Sequence, residues 1–419
     1  MITTGIVELK DGQTFYFCLD GDELFLDPTD DEARKFKNVF SRFDNPSTPF
    51  DNAVYIEGKC YPDLNPIIFM RRSTVGFINS RWKMKVGFVF IFNSEAGPVT
   101  SLTVRFRELN HIFDVGKIID EKSYQEGSDS IYFKNNEACS SEPLSFRYRN
   151  KTISCYFFAG CRYSMSRGEQ TPIRLTSSLI FNFEETADYN FLAHLFRVAL
   201  EFVRFLCYRK NVRIDEAKIA NYSKDNTSRF SGKMYYYSLS FTNEVSGNIE
   251  KDGYVPYELF QGHENKIMEL LSKNLICSER LPQRREEFSL STQSYFADVV
   301  IAFEKVSRLV FSDIPKRKLK DMNIEEKLSL VKSKFPNTYD RLSSVYSSQD
   351  SCSQDSMETV IRKERNKLFH GDVDAFRNPL IPRYYRFLER ITYFLELTLA
   401  NIDEESADKA TGKFFDFRF

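Results

Sequence analysis

The stretch Ser101-Leu102-Thr103-Val104-Arg105-Phe106 alternates polar and apolar side chains, residue by residue. Successive side chains of a strand point to opposite faces, so this period of two predicts a β-strand with one buried and one wet face. Similar aromatic and β-branched runs recur at residues 53–57, 67–70, 86–92, 153–158 and 175–183. Many short strands with turns between them predict a sandwich or an open barrel.

The start of the chain predicts a hairpin. Residues 6–9 and 14–19 are strand-like runs, and the Asp11-Gly12 pair between them tolerates the positive φ angles of a tight turn. Residues 31–40 predict a short helix and the Pro/Asn-rich residues 44–52 a loop. Residues 234–242 return to strand character and are expected to close the sheet.

Apolar residues change to helical spacing in residues 188–209. Residues 264–273 predict a second helix. The charged segment 278–287 contains Pro282 and has little to bury, which is typical of a domain boundary.

The remainder predicts a helical bundle. Residues 294–310, 324–334 and 383–400 each carry an apolar stripe, and a fourth helix runs to His370 and stops at Gly371. The Ser-rich residues 343–356 predict a loop that is too polar to pack. Asp355 or Ser356 can cap the fourth helix, with Glu358 placed as in a capping box. The aromatic end, residues 414–419, is expected to dock onto the protein or a partner.

The fold class predicted from these patterns is α+β. We assign residues 1–260 to a mainly-β, sandwich-like domain with accessory helices and residues 261–287 to a helix and charged linker. Residues 288–402 are assigned to an all-α bundle, and residues 403–419 to a tail.

Composition narrows the functional classes. The net charge of −1 gives no general attraction to nucleic acid, so any RNA contact requires a local basic patch. No run of about 18 apolar residues predicts a membrane span, and the first residues do not resemble a secretory signal. The eight Cys are scattered without a CxxC pair, which favours buried thiols and a cytoplasmic location. No Cys/His spacing predicts a zinc site, and no cofactor is expected.

The segment Arg365-Asn366-Lys367-Leu368-Phe369-His370 carries the residue types for metal-free RNA cleavage. A guanidinium donates two hydrogen bonds to phosphate and stays charged. An imidazole exchanges protons near neutral pH. In RNA the attacking group is the 2′-hydroxyl of the substrate itself, so His370 as acid or base and Arg365 as charge stabiliser are sufficient.

The spacing complicates a site within one chain. Positions 365 and 370 lie about 140° apart around an ideal helix, whereas Asn366 and His370 share a face. Arg365 can reach around with its long side chain, the helix can unwind at Gly371, or two chains can form one cleft. Cleavage requires an acid and a base, and one chain offers a single His here, which favours a homodimer. A basic residue near a helix C-terminus is also stabilised by the helix dipole alone.

The segment resembles the R-x4–6-H motif of HEPN domains, and the layout of the chain is similar to the ApeA-like branch of that family. The order of the elements also fits, with Ile301-Ala302-Phe303-Glu304 in the first bundle helix and Tyr384-Tyr385-Arg386 in the last. This resemblance implies an anti-phage ribonuclease that cuts tRNA and shuts down translation. It implies that Arg365 and His370 are catalytic and that Asn366 supports them. Glu304 either orients His370 or caps a buried polar pocket.

Two basic clusters are candidates for RNA binding, Lys316-Arg317-Lys318 and the group Arg362, Lys363 and Lys367; such residues are also often only solvated. A phage protein that triggers the enzyme through the β domain is an expectation from the resemblance. The alternative function is a non-catalytic bundle for binding or dimerisation, with a protein-binding β domain.

Overall fold

The alternating runs of the sequence form strands in the computed structural model of this chain. The residues that the structure describes are 2–8, 14–29, 55–72, 76–78, 81–118, 138–162, 174–222, 228–237, 253–276, 278–283, 293–347, 355–372 and 380–415. The predicted turn at 10–13, the helix at 31–40 and the loop at 44–52 lie outside these residues, as do residues 416–419.

The chain divides into two units. The first comprises residues 1–107, 116–199 and 213–244, and the second comprises residues 108–115, 200–212 and 245–419. The strands belong to the first unit: β1 Ile2–Glu8, β2 Thr14–Asp20, β3 Glu23–Pro28, β4 Tyr55–Cys60, β5 Asn65–Arg71, β6 Gly76–Ile78, β7 Arg81–Phe92, β8 Val99–Phe106, β9 Ala138–Ser140, β10 Leu144–Tyr148, β11 Lys151–Arg162, β12 Arg174–Thr186, β13 Ile214–Tyr222 and β14 Ser228–Tyr236.

These strands form one antiparallel sheet rather than the two sheets of a sandwich. The predicted hairpin is confirmed, because β1 pairs with β2 from Ile2 opposite Asp20 to Glu8 opposite Thr14. Six strands close into a ring, in which β7 pairs with β3, followed by β2, β1, β4 and β5, and β5 pairs back with β7. The last predicted strand lies in β14 as far as it is described, and β14 joins β13 to β7. Of the two predicted architectures, sandwich and open barrel, the strand pairing therefore supports a barrel.

The barrel core is aromatic, in line with the composition. Phe17 and Phe69 meet edge to face with ring centroids 5.0 Å apart, a favoured aromatic geometry. In β8, Leu102, Val104 and Phe106 are buried as the alternation predicts. Ser101 departs from the pattern, since it is buried on the same strand.

The helices of the second unit include all four that the sequence assigns to the bundle. Residues 200–207 of α2 belong to this unit, and residues 189–199 to the first. The helices are α1 Leu109–Ile112, α2 Tyr189–Cys207, α3 Glu264–Ser272, α4 Gln293–Val310, α5 Lys316–Asp321, α6 Ile324–Lys334, α7 Pro336–Ser347, α8 Met357–Phe369, α9 Ile381–Leu399 and α10 Glu404–Phe415. Short 3₁₀ turns occur at Val115–Ile118, Tyr257–Leu259 and Ser278–Arg280.

Three of these helices correct the sequence analysis. Helix α5 covers the basic segment Lys316-Arg317-Lys318, for which the sequence patterns predict no helix. Helix α7 includes residues 343–347 of the predicted Ser-rich loop, because Tyr339, Leu342 and Tyr346 bury one face of it. Helix α10 replaces the predicted tail, and it is amphipathic through the small residues Ala407 and Ala410. Phe414 and Phe415 are buried at its end, which confirms docking of the aromatic end as far as it is described.

The predicted linker is also different, because its described residues 278–283 pack within the second unit. Leu281 is buried, and Arg280 Nη2 lies 2.5 Å from Glu396 Oε2 on α9. Both side chains of this ion pair are 1% exposed. A buried charge requires such a partner, so the pair attaches the segment to the helical core.

A second buried carboxylate lies on the same helix. Tyr208 Oη donates a hydrogen bond to Glu389 Oε1 at 2.5 Å. Burial raises the pKa of Glu389 from the usual 4.5 to about 7, although hydrogen bonds from Tyr208 and Tyr385 and the charge of Arg280 lower it. Desolvation disfavours the charged form of an acid, and here it outweighs the favourable contacts.

Candidate functional site

Helix α8 carries the Arg365–His370 segment between two well-defined ends. Ser356 is the N-cap, and its Oγ accepts a hydrogen bond from the Thr359 backbone N–H at 3.2 Å. The expected capping box with Glu358 is wrong: the Glu358 carboxylate accepts a hydrogen bond from Tyr339 Oη at 2.7 Å.

The C-terminal end of α8 is a Schellman motif. The Gly371 N–H bonds to the Leu368 carbonyl at 3.2 Å, and the Asp372 N–H bonds to the Lys367 carbonyl at 2.9 Å. Gly371 has φ +70°, a left-handed conformation that glycine adopts at little cost. The helix thus ends in a defined way at His370.

Arg365 is held by three contacts. Its Nη2 donates to Glu304 Oε1 on α4 at 3.2 Å, and its Nη1 donates to Asn366 Oδ1 at 3.3 Å. Its guanidinium carbon lies 4.8 Å from the centroid of the Phe369 ring, within the range of a cation–π contact. The side chain remains 32% exposed, so it is oriented yet still accessible.

Glu304 serves two cations. Besides Arg365, it faces Arg308 one turn later on α4, with Oε2 3.6 Å from Arg308 Nη2. Its side chain is 17% exposed. The sequence left open whether Glu304 orients His370, but no contact between these two residues occurs among the described residues. The carboxylate instead orients Arg365.

His370 occupies the C-cap of α8, and its backbone N–H bonds to the Asn366 carbonyl at 3.0 Å. Its side chain is exposed, and within the described part of the chain it makes no hydrogen bond or ion pair. The structure therefore brings Arg365, Asn366 and Glu304 together and leaves the imidazole facing solvent. The wide angular separation of positions 365 and 370 accounts for this division.

One charged residue near this site was not singled out by the sequence. Lys327 lies on the buried face of α6 with Ile324, Leu328 and Val331, and it is 2% exposed. Desolvation lowers the pKa of Lys327. The nearby Glu304 charge opposes this lowering, whereas Arg308 and Arg365 add to it. The available signal was a lysine inside an apolar helical stripe, a pattern that also fits a snorkelling side chain.

The predicted RNA-binding residues fall into two groups. Three of them already have acidic partners at hydrogen-bond distance: Arg362 with Glu325 at 2.8 Å, Lys363 with Asp355 at 2.6 Å, and Lys367 with Glu364 at 2.8 Å. Ion pairing reduces their availability to phosphate.

The second group lies on α5. Lys316, Arg317 and Lys318 are exposed, and among the described residues none of them forms an ion pair. Arg317 and Lys318 line a surface cavity of about 550 Å³ together with Pro315, Asp321, Met322 and Glu326. This surface is the more accessible cationic one.

Two features are absent from the described residues. No group of three or more His, Cys, Asp or Glu side chains among them is arranged to hold a metal ion. None of their helices is both long and apolar enough to cross a membrane.

Comparisons with protein-family models, with curated proteins and with solved structures find no match to this chain. Its function is therefore inferred from the residues themselves and from the motif they form.

Proposed function

We propose that this chain is a metal-independent RNA endonuclease of the HEPN type, directed at tRNA and acting in anti-phage defence. The observation that supports this proposal most is the state of Arg365. Its guanidinium is oriented by Glu304 and Asn366 at the end of a capped helix, and His370 is exposed at the C-cap of that helix. A pure scaffold has no need for this combination.

The chemistry requires two proton transfers. His370 accepts the proton of a 2′-hydroxyl, whose oxygen attacks the adjacent phosphorus. The bond to the 5′-oxygen breaks, and that oxygen takes a proton from an imidazolium. The products are a 2′,3′-cyclic phosphate and a 5′-hydroxyl. Arg365 stabilises the charge that develops on the phosphate oxygens.

A homodimer supplies the second imidazole. Two large apolar side chains lie near the Arg365–Glu304 pair in a water-exposed position: Ile301, 52% exposed, and Phe369, 48% exposed. Ile301 precedes Glu304 by three residues and Arg308 by seven on α4, so these three share a helix face. Exposed apolar residues beside a charged site favour an interface between two copies of the chain.

The cellular role follows from the resemblance to the ApeA-like branch. In this proposal the protein acts in the cytoplasm, where cleavage of tRNA stops translation in an infected cell. The β unit aims or restrains the nuclease, and a phage protein releases it. The exposed cations Lys316, Arg317 and Lys318 hold the RNA backbone.

The test combines cleavage with end chemistry. Purified protein is incubated with total RNA in the presence of EDTA, and the cut ends are mapped and tested for cyclic phosphate. We expect His370→Ala and Arg365→Ala each to reduce cleavage about 10²-fold or more. The matched controls are His263→Ala, at the N-cap of α3, and Arg213→Ala, in an exposed ion pair with Asp215. Cleavage that EDTA abolishes, or that the site variants retain, contradicts the proposal.

The non-catalytic alternative has one observation in its favour. Arg365 is already ion-paired, and a basic residue at the position of His370 gains about 0.3–1 kcal/mol from the helix dipole without any catalysis. On this alternative the protein binds a partner but cuts no RNA. Strong expression then leaves cell growth unchanged for the wild type and both variants, even under phage challenge, whereas a nuclease is toxic and either variant relieves the toxicity.

A further inference from the structure

Four charged side chains of the second unit form a cluster at the junction of α4, α6 and α8. Glu304 contributes a carboxylate at its centre, paired with Arg365 at 3.2 Å and with Arg308 at 3.6 Å. Lys327 is an electrostatic neighbour of Glu304 and of both arginines. The cluster therefore holds three cations around one anion.

Burial makes this arrangement costly unless a further anion is present. Lys327 is 2% exposed, and within the described part of the chain no hydrogen bond or ion pair satisfies its ammonium group. A buried cation is normally paired or hydrogen-bonded. Glu326 also lies within electrostatic range, but its carboxylate accepts the Asn323 backbone N–H at 2.7 Å and so caps α6. The cluster retains an excess of positive charge.

The cluster is also reachable from solvent. The side chain of Arg308 is 49% exposed and that of Arg365 is 32% exposed, whereas Lys327 is 2% exposed. An anion from solvent can therefore reach both guanidinium groups, and the charge of Lys327 acts on the same cluster. Guanidinium groups bind phosphate through two parallel hydrogen bonds, and lysine acts on phosphate as a point charge.

We infer that Lys327 and Arg308, together with Arg365, form a binding site for one phosphodiester anion of the RNA. This inference deepens the proposed function, on which it rests for the identity of the ligand. It adds two residues that the Arg–His motif does not contain, and it assigns a role in binding to the buried lysine. Glu304 keeps the cations in place when the site is empty.

The test uses the intact protein and two probes. The first is inorganic phosphate, compared with chloride at matched ionic strength in thermal unfolding. The second is a 2′-O-methyl RNA oligomer, which lacks the attacking hydroxyl and is bound without being cut. The first variant is Lys327→Met, which removes the charge and keeps an apolar side chain. The second is Arg308→Met, which should fold normally because the Arg308 side chain is 49% exposed. Lys332→Met is the matched control on α6, at an exposed lysine paired with Asp340.

We expect phosphate to raise the Tm of the wild type and of Lys332→Met more than chloride does. Lys327→Met loses this phosphate-specific shift, and Arg308→Met reduces it. For the oligomer, the slope of log K against log salt falls by about 0.7 in Lys327→Met, the loss of one phosphate contact with a single strand, and by less in Arg308→Met.

The inference is overturned if phosphate gives the wild type no specific shift, or if both variants respond to phosphate and to the oligomer as the wild type does. Failure of the nuclease proposal is a separate result. Phosphate binding that depends on Lys327, in a protein that cuts no RNA, leaves the anion site standing and removes the enzyme. RNA cleavage at the wild-type rate in Lys327→Met supports the nuclease and removes the anion site.

Discussion

Replacement of Glu389 by Gln should make the helical unit more stable at alkaline pH than at acidic pH, relative to the wild type. Glu389 is buried on α9, accepts a hydrogen bond from Tyr208 Oη at 2.5 Å, and has its pKa raised to about 7. Gln has nearly the same shape, and its carbonyl oxygen can accept the same hydrogen bond. The substitution therefore removes the titration and little else.

The sign and size follow from proton linkage. Below about pH 4.5 the carboxyl is protonated in both the folded and the unfolded chain. Between about pH 4.5 and pH 7 the unfolded chain releases its proton while the folded chain keeps it, so the free energy of unfolding falls as pH rises. At 1.36 kcal/mol per pH unit, the loss amounts to roughly 3 kcal/mol. The amide of the Glu389→Gln variant has no proton to release in this range, so the variant avoids this loss.

Urea denaturation followed by circular dichroism measures the effect at about pH 5 and about pH 8. The free energy of unfolding of Glu389→Gln minus that of the wild type should increase by roughly 2.5 kcal/mol between these conditions, because part of the loss has already occurred at pH 5. Glu405→Gln is the control, because its side chain is 78% exposed and pairs with Lys409 on the surface. A difference that is equal at both pH values, or that decreases, would refute the assignment of a raised pKa to Glu389.

Two further substitutions test how the second unit is held together. Arg280→Met should reduce the free energy of unfolding by about 3–5 kcal/mol, because it leaves the Glu396 carboxylate buried without its partner. The double variant with Glu396→Leu should recover much of that loss in the same urea titration, and no recovery would argue against the ion pair as the cause. Gly371→Ala should cost about 1 kcal/mol, since φ is +70° there and no atom lies within 4 Å of the added Cβ. Thermal unfolding measures this cost, and a neutral result would mean that the end of α8 relaxes freely.

The sequence predicted what depends on local pattern. Alternation of polar and apolar residues gave β8, and stripes at helical spacing gave α4, α6 and α9 close to their observed bounds. Helices α7 and α10 were not predicted, because serine and alanine provide little difference in hydrophobicity between the two faces of a helix. A few buried residues are nevertheless sufficient to dock these helices. Closure of the barrel through the pairing of β5 with β7 depends on residues distant in the chain, which no local pattern encodes.

In the candidate site, too, the local features could be predicted from the sequence and the contacts between distant residues could not. The end of α8 could be predicted, because Ser356 and Gly371 act on the nearest turns of the helix. The partner of Arg365 could be suspected from the motif but not assigned, since Glu304 lies 61 residues earlier. Lys327 could not be found, because a lysine in an apolar stripe is indistinguishable in sequence from one that extends to water.

The contact between Glu304 and Arg365 links the two proposals. Held by a carboxylate, Arg365 is oriented but partly neutralised, so a phosphate must compete with Glu304 for the guanidinium group. In an isolated pair, this exchange would leave the carboxylate uncompensated at a half-buried position, which is costly. Here Arg308 is paired to Glu304 and Lys327 lies within its electrostatic range, so both remain close enough to counter its charge when the three cations share a phosphate. On the proposed function, the extra cations therefore lower the cost of releasing Arg365 to the phosphate.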